Sequence, residues 1–160
     1  MVNNLSISRA RIDEYNDIVS TLDITNKTKL DDIFMDYIVI TCYAEFEQLF
    51  NEIISSKLAK SSAFSRRYID LVKKTKQQLH GHLNKENLKD LIKKLFRKNI
   101  RFEQNPEWGL YVNFIKFRDS IAHQNEEYKA NKAALIINMK NDYTNIISIL
   151  EKILNTVNPE

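Results

Sequence analysis

Apolar positions recur at helical spacing along nearly the whole chain. Between Asn4 and Asp23, the residues Leu5, Ile12, Tyr15, Ile18, Val19 and Leu22 are interspersed with acids and arginines, which predicts an amphipathic first helix. The polar run Thr25 to Lys29 reads as a break. From Leu30 to Leu58, apolar residues including Ile33, Phe34, Tyr37, Ile38, Ile40, Tyr43, Phe46, Phe50 and Ile54 cover most of the circumference, the pattern of a helix at the centre of a bundle. Glu45 and Glu47 interrupt it. They read either as a narrow exposed strip or as paired carboxylates, with Glu45 also a candidate to support a site from behind.

Ser61-Ser62 marks a second break, followed by helices over about Arg66 to Leu79 and Asn84 to Lys98. In the latter, Asn84 is a natural N-cap, and Leu88, Leu91, Ile92, Leu95 and Phe96 lie opposite Lys85, Lys89, Lys93 and Arg97. Lys93 and Arg97, four apart, should be neighbours on one face. Asn99 to Glu107 reads as a loop, Asn105-Pro106 as a helix start, and Glu107 to Ala122 as the next helix. After the polar run Gln124 to Glu127, a last helical region runs from about Lys129 to Val157, with a break expected near Asn141.

Two glycines and two prolines in 160 residues are too few for the frequent turns of a sandwich or barrel. The expectation is a single all-α domain over residues 1–160, a bundle of four to five helices. Cys42, the only cysteine, sits in an apolar run and reads as a buried, unreactive thiol, which suits a cytoplasmic setting. No basic segment precedes an apolar one at the N-terminus, and no apolar run approaches a membrane span, so neither secretion nor membrane insertion is expected.

Charge changes the picture more than composition does. Residues 57–101 hold 14 Lys/Arg against 3 Asp/Glu, a local net of +11, while the rest of the chain is net −8. A solvated lysine-rich face accounts for many such runs, but an excess of this size also points to a polyanion partner. Arg66, Arg67, Lys73, Lys74, Lys93 and Arg97 are the candidate contacts. His80-Gly81-His82 lacks a third ligand nearby, so no metal and no cofactor are expected.

The chemistry-bearing stretch is Arg118-Asp119-Ser120-Ile121-Ala122-His123. At about 100° per residue, the helix holding it separates its apolar residues into two stripes. Trp108, Tyr111, Val112, Ile115 and Ala122 form one, and Leu110, Phe114, Phe117 and Ile121 the other. Two stripes imply either a fully central helix or one that also faces a partner subunit. Arg118 and His123 point about 140° apart on a regular helix, so they do not converge on one phosphate within one chain unless the helix ends there. A purely structural account has Arg118 pairing with an acid and His123 favouring a helix C-terminus.

These six residues resemble the R-x4-6-H motif of the HEPN superfamily, small all-helical domains named from higher eukaryotes and prokaryotes nucleotide-binding. Its frequent form is Arg-Asn-x-x-Ala-His, and this chain has Asp119 in the polar place and Ala122 before the histidine. The resemblance implies a HEPN-like bundle that dimerises with its motifs facing each other. It also implies, in many members, metal-independent endoribonuclease activity. His123 would act as general acid or base on the 2′-OH or the leaving oxygen, Arg118 would stabilise the phosphorane, and Asp119 would orient the imidazole or a water. RNA, a second copy of the chain and an antitoxin or regulatory protein are the partners implied, in the setting of a toxin or defence nuclease. Asn125 stands where some HEPN toxins have a tyrosine, so regulation through that tyrosine does not carry over. The alternative is a non-catalytic HEPN-like module binding a nucleotide, nucleic acid or protein. A third is an adaptor using Ile146, Leu150, Ile153 and Val157 as a coiled-coil seam.

Overall fold

A computed structural model describes residues 4–75, 83, 85–98, 107–123 and 126–158, and every regular element among them is helical. The helices are α1 (Ser6–Thr21), α2 (Ile24–Lys60), α3 (Ser62–Thr75), α4 (Lys85–Asp90), α5 (Glu107–His123) and α6 (Glu126–Val157). A π-helical turn, Leu91–Leu95, continues α4. Among the described residues no helix is long and apolar enough to cross a membrane.

The break expected at Thr25 to Lys29 lies inside α2 instead. The chain turns one step earlier, where Asp23 caps α2 by accepting from the Asn26 N–H at 2.9 Å. A strong cap thus outweighs a polar composition that a solvent-facing first turn tolerates. The break expected near Asn141 is absent too, and Glu126 and Glu127 are already helical in α6.

α2 is the axis of the bundle, packing against α1, α3, α5 and α6, while α5 packs along α6. Phe46 and Phe50 of α2, Tyr111 and Phe114 of α5 and Leu150 of α6 lie at or near zero exposure in one contiguous core. Aromatic edges lock the layers, with Phe46 meeting Tyr111 and Phe50 meeting Phe96 at centroid distances of 6.4 and 5.7 Å. Most of both α5 stripes is spent here: Trp108, Tyr111 and Ile115 of one and Phe114 and Phe117 of the other are buried, Leu110, Val112 and Ile121 are half-buried, and Ala122 is exposed. The double stripe therefore marks a central helix. The coiled-coil seam fails for the same reason, because Ile146, Leu150, Ile153 and Val157 are buried within this chain.

Glu45 corrects another expectation. It is 8% exposed rather than on a surface strip, and its carboxylate accepts from the Ile7 N–H (2.9 Å), the Ser8 N–H (2.7 Å) and the Ser8 hydroxyl (2.5 Å). The residue before α1, Leu5, has no capping side chain, so the first N–H groups of the helix are satisfied from other helices. Glu151 of α6 completes the arrangement, taking the Leu5 N–H at 3.0 Å and pairing with Arg9 at 2.6 Å.

The π turn ends unusually. Phe96 N–H bonds the Leu91 carbonyl and Lys98 N–H the Ile92 carbonyl, both at 3.1 Å, with Arg97 between them at φ 55°. Helix ends of this kind ordinarily place glycine in that left-handed position. Lys93 and Arg97 consequently do not share a regular helical face, contrary to the spacing argument.

Candidate functional site

α5 remains helical through His123, its last residue. Arg118 and His123 are therefore separated by five regular helical steps, about 7.5 Å along the axis and about 140° around it. They do not meet within one chain. His123 is solvent-exposed in the final turn, whereas the Arg118 side chain is only 14% exposed.

Arg118 is held on two sides. Its Nη1 donates to Asp119 Oδ1 at 2.8 Å, and its guanidinium carbon lies 4.1 Å from the centroid of the Tyr43 ring. A cation this close over an aromatic face gains roughly 1–2 kcal/mol where water is partly excluded. In the single chain, Asp119 thus orients the arginine. The carboxylate itself is 45% exposed and remains reachable from solvent.

Tyr43 leads to residues that the motif did not indicate. Its hydroxyl accepts from the Leu83 N–H at 2.9 Å, and the Tyr111 hydroxyl donates to the carbonyl of the same Leu83. Trp108 stacks on Tyr111 with centroids 4.7 Å apart and planes 15° from parallel. Burial pushes the Tyr43 phenol up to about 12, helped by the Glu47 carboxylate and opposed by the Leu83 N–H and Arg118. Tyr111 is also pushed up, first by burial and then by Tyr43, Asp119 and Glu47.

Glu47, not Glu45, is therefore the α2 carboxylate that faces this region. Two helical steps turn a side chain by about 200°, so the two glutamates look to opposite sides of the bundle. Tyr43 and Glu47 are four apart on α2, a spacing that could have linked them from the sequence. Nothing local pointed to Leu83.

The basic candidates sit on separate elements and differ in exposure. Arg66 and Lys73 are exposed on the outer side of α3, opposite buried Phe64 and Leu71, and Lys93 is exposed on the π turn. Arg67 turns inward instead, donating from Nε to the Leu95 carbonyl at 3.1 Å and lying 5.7 Å from the Phe64 ring centroid. Arg97 is exposed in its left-handed turn, and the Lys74 backbone lies in α3. His80 and His82 lie outside the described residues, as do Asn84 and the expected loop from Asn99 to Pro106. Among the described residues no group of three or more His, Cys, Asp or Glu could hold a metal ion.

Comparison of the chain with known protein families, curated proteins and solved structures returns no match.

Proposed function

We propose that the protein is a HEPN-like, metal-independent endoribonuclease, acting in the cytoplasm as a homodimer whose composite site draws on Arg118 and His123. The reading rests on the six-residue motif and on one geometric observation. Arg118 is pre-oriented by an aromatic face and by a half-exposed carboxylate, while His123 stands exposed at the end of the same helix. Arg118 can exchange its bond to Asp119 for one to an incoming phosphate without leaving Tyr43.

In the proposed step, the RNA 2′-oxygen loses its proton to a general base and attacks phosphorus. The P–O2′ bond forms as the P–O5′ bond breaks, and the departing 5′-oxygen takes a proton. The products are a 2′,3′-cyclic phosphate and a 5′-hydroxyl. His123 supplies the proton transfer, and Arg118 neutralises charge on the non-bridging oxygens through its planar fork of donors. The separation of the two groups within one chain is what calls for a second copy. An exposed apolar stripe on α2, Ile33, Tyr37 and Ile40, ends one turn before Tyr43 and offers a surface for that copy. An antitoxin or regulatory protein would act by covering this surface or the motif.

A second reading, a non-catalytic binding module, is favoured by the pairing of Arg118 with Asp119, since a structural arginine would be held in the same way. The experiment that separates them is incubation with RNA in EDTA, with analysis of the ends. The wild type should leave 2′,3′-cyclic phosphates, and Arg118→Ala and His123→Ala should each lose about 100-fold or more in rate. If the site is composite, mixing the two variants should restore about a quarter of wild-type activity, through mixed dimers with one intact site. Cleavage unaffected by either substitution would refute the assignment.

A further inference from the structure

A second charged region lies where the ends of α2 and α6, the first turn of α3 and the residues after the π turn come together. It is a cavity of about 300 Å³. Lys57, Arg67 and Lys98 bring cations to it, Phe64, Phe96 and Val157 form an apolar wall, and Ser61 contributes a hydroxyl. Among the described residues no carboxylate lines it.

Gathering three cations in one cavity is unfavourable unless something negative balances them. Helix ends account for part of the arrangement. Lys57 lies in the last turn of α2, where a cation is favoured, and Arg67 caps the π turn through the Leu95 carbonyl. Lys98 follows the π turn and is exposed. It is carried to the cavity by the turn that holds Arg97 at φ 55°, a conformation L side chains rarely adopt. The turn that ends the helix thus also sets Lys98 at the rim of an already cationic pocket.

The chemistry of that ligand follows from charge, size and lining. A carboxylate would leave most of the positive charge unbalanced, whereas a phosphomonoester carries about −1.5 to −2 near neutrality. Arg67 is partly pre-organised for such a group, because its Nε is fixed on the Leu95 carbonyl and its guanidinium carbon lies 5.7 Å from the Phe64 ring centroid. Phe96 and Val157 give an apolar contact for an organic moiety. The volume sits at the lower limit of ligand pockets, roughly 300–1,000 Å³, and so suits a single small unit rather than a length of strand.

We infer that this cavity binds the phosphomonoester of a nucleotide, either free or at the 5′ end of an RNA. The site stands apart from Arg118 and His123, and it holds whether or not those residues cleave RNA.

Calorimetric titration of the full chain with 5′-AMP, adenosine and inorganic phosphate tests this. 5′-AMP should bind roughly tenfold or more tightly than adenosine, reflecting charge-assisted bonds to phosphate, and more tightly than inorganic phosphate. Lys57→Gln and Lys98→Gln should each weaken 5′-AMP about fivefold to tenfold. Lys29→Gln, exposed near the opposite end of α2 from Lys57, should leave it unchanged. Arms with 2′-O-methylated tetranucleotides bearing a 5′-phosphate or a 5′-hydroxyl identify the source. Preference for the phosphorylated strand over 5′-AMP assigns an RNA end, and the reverse assigns a free nucleotide. Equal affinity for 5′-AMP and adenosine would overturn the inference. So would a loss on Lys29→Gln equal to that on Lys98→Gln, which would reduce the effect to general surface charge.

Discussion

Glu45 and Arg118 are both ionic groups set into apolar helices, and they are held in opposite ways. Glu45 is closed off: three donors, all from the start of α1, occupy its carboxylate at 2.5–2.9 Å. Arg118 lies against the Tyr43 ring and pairs with Asp119, which is itself half in water. The first arrangement can only join helices, because any other ligand would strip α1 of its caps. The second keeps its ion-pair partner half-exposed, where solvent and solutes can reach it. How its partners are anchored, more than its burial, separates a charge that builds the fold from one that can do chemistry.

The largest expected effect tests the Glu45 half. Glu45→Ala leaves the Ile7 and Ser8 N–H groups without their acceptor at the start of α1, and should destabilise the protein by about 3 kcal/mol in urea unfolding. Glu45→Gln keeps one carbonyl acceptor and should lose about half as much. A loss below about 1 kcal/mol for the alanine variant would place Glu45 among ordinary surface groups and dissolve the contrast.

A pH experiment probes the same region. Cys42 is buried beside Glu45 and Ser8, and burial raises its thiol from 9.0 to about 12, with Ser8 opposing the shift and Glu45 adding to it. The folded state therefore keeps its thiol proton where the unfolded chain has lost it. This contribution is intact below pH 9 and is lost progressively up to about pH 12. Stability should fall by about 1.4 kcal/mol per pH unit as the unfolded thiol ionises. Tyr43 and Tyr111 add to the loss only from their ordinary value of 10.0 upward, so the interval between pH 9 and 10 reports mainly on the thiol. Thermal unfolding under reductant should show Cys42→Ala with a flatter pH dependence in that interval. An unchanged slope would mean that the thiol is not sealed off.

Much of the architecture was legible in the sequence because it follows from periodicity. The central position of α2, the two stripes of α5 and the break at Ser61-Ser62 are all written in residue spacing. What escaped depends on contacts between distant segments. Glu45 looks like a surface residue in α2 alone, since its donors lie 37 and 38 positions away. The Asp23 cap needed only local reading and was hidden by the polar run after it. At the candidate site, Arg118, Asp119 and His123 stood out as residue types, but the Tyr43 ring beneath the arginine and the tyrosine hydroxyls on Leu83 arise only when α2 and α5 pack. The π turn was unreadable because Leu91 to Leu95 carry an ordinary helical pattern.

Arg118 should respond to substitution differently from Glu45. Arg118→Met removes the contact with Tyr43 and a partly exposed ion pair while retaining apolar bulk, so about 1 kcal/mol of stability should be lost. RNA cleavage should fall about 100-fold or more in the same variant. The disproportion is the signature sought: a structural arginine would lose stability and function together, whereas one kept for its charge loses function far beyond its structural share. Stability loss near 3 kcal/mol with activity retained would move Arg118 into the class of Glu45.

The smallest effect makes the sharpest distinction. Asp119 pairs with Arg118 at 2.8 Å but is 45% exposed, and exposed pairs contribute at most about 1 kcal/mol. Asp119→Asn keeps an oxygen that can still accept from Arg118 and removes only the charge, so unfolding should shift by less than about 0.5 kcal/mol. If Asp119 holds Arg118 in readiness for a phosphate, removing its charge should leave the arginine with an emptier field and a stronger pull on the substrate. The KM for RNA should then fall, while kcat falls with it if the carboxylate also positions the fork. An unfolding shift as large as that of Glu45→Ala would show that Asp119 anchors the fold. The two charged centres would then differ in exposure alone.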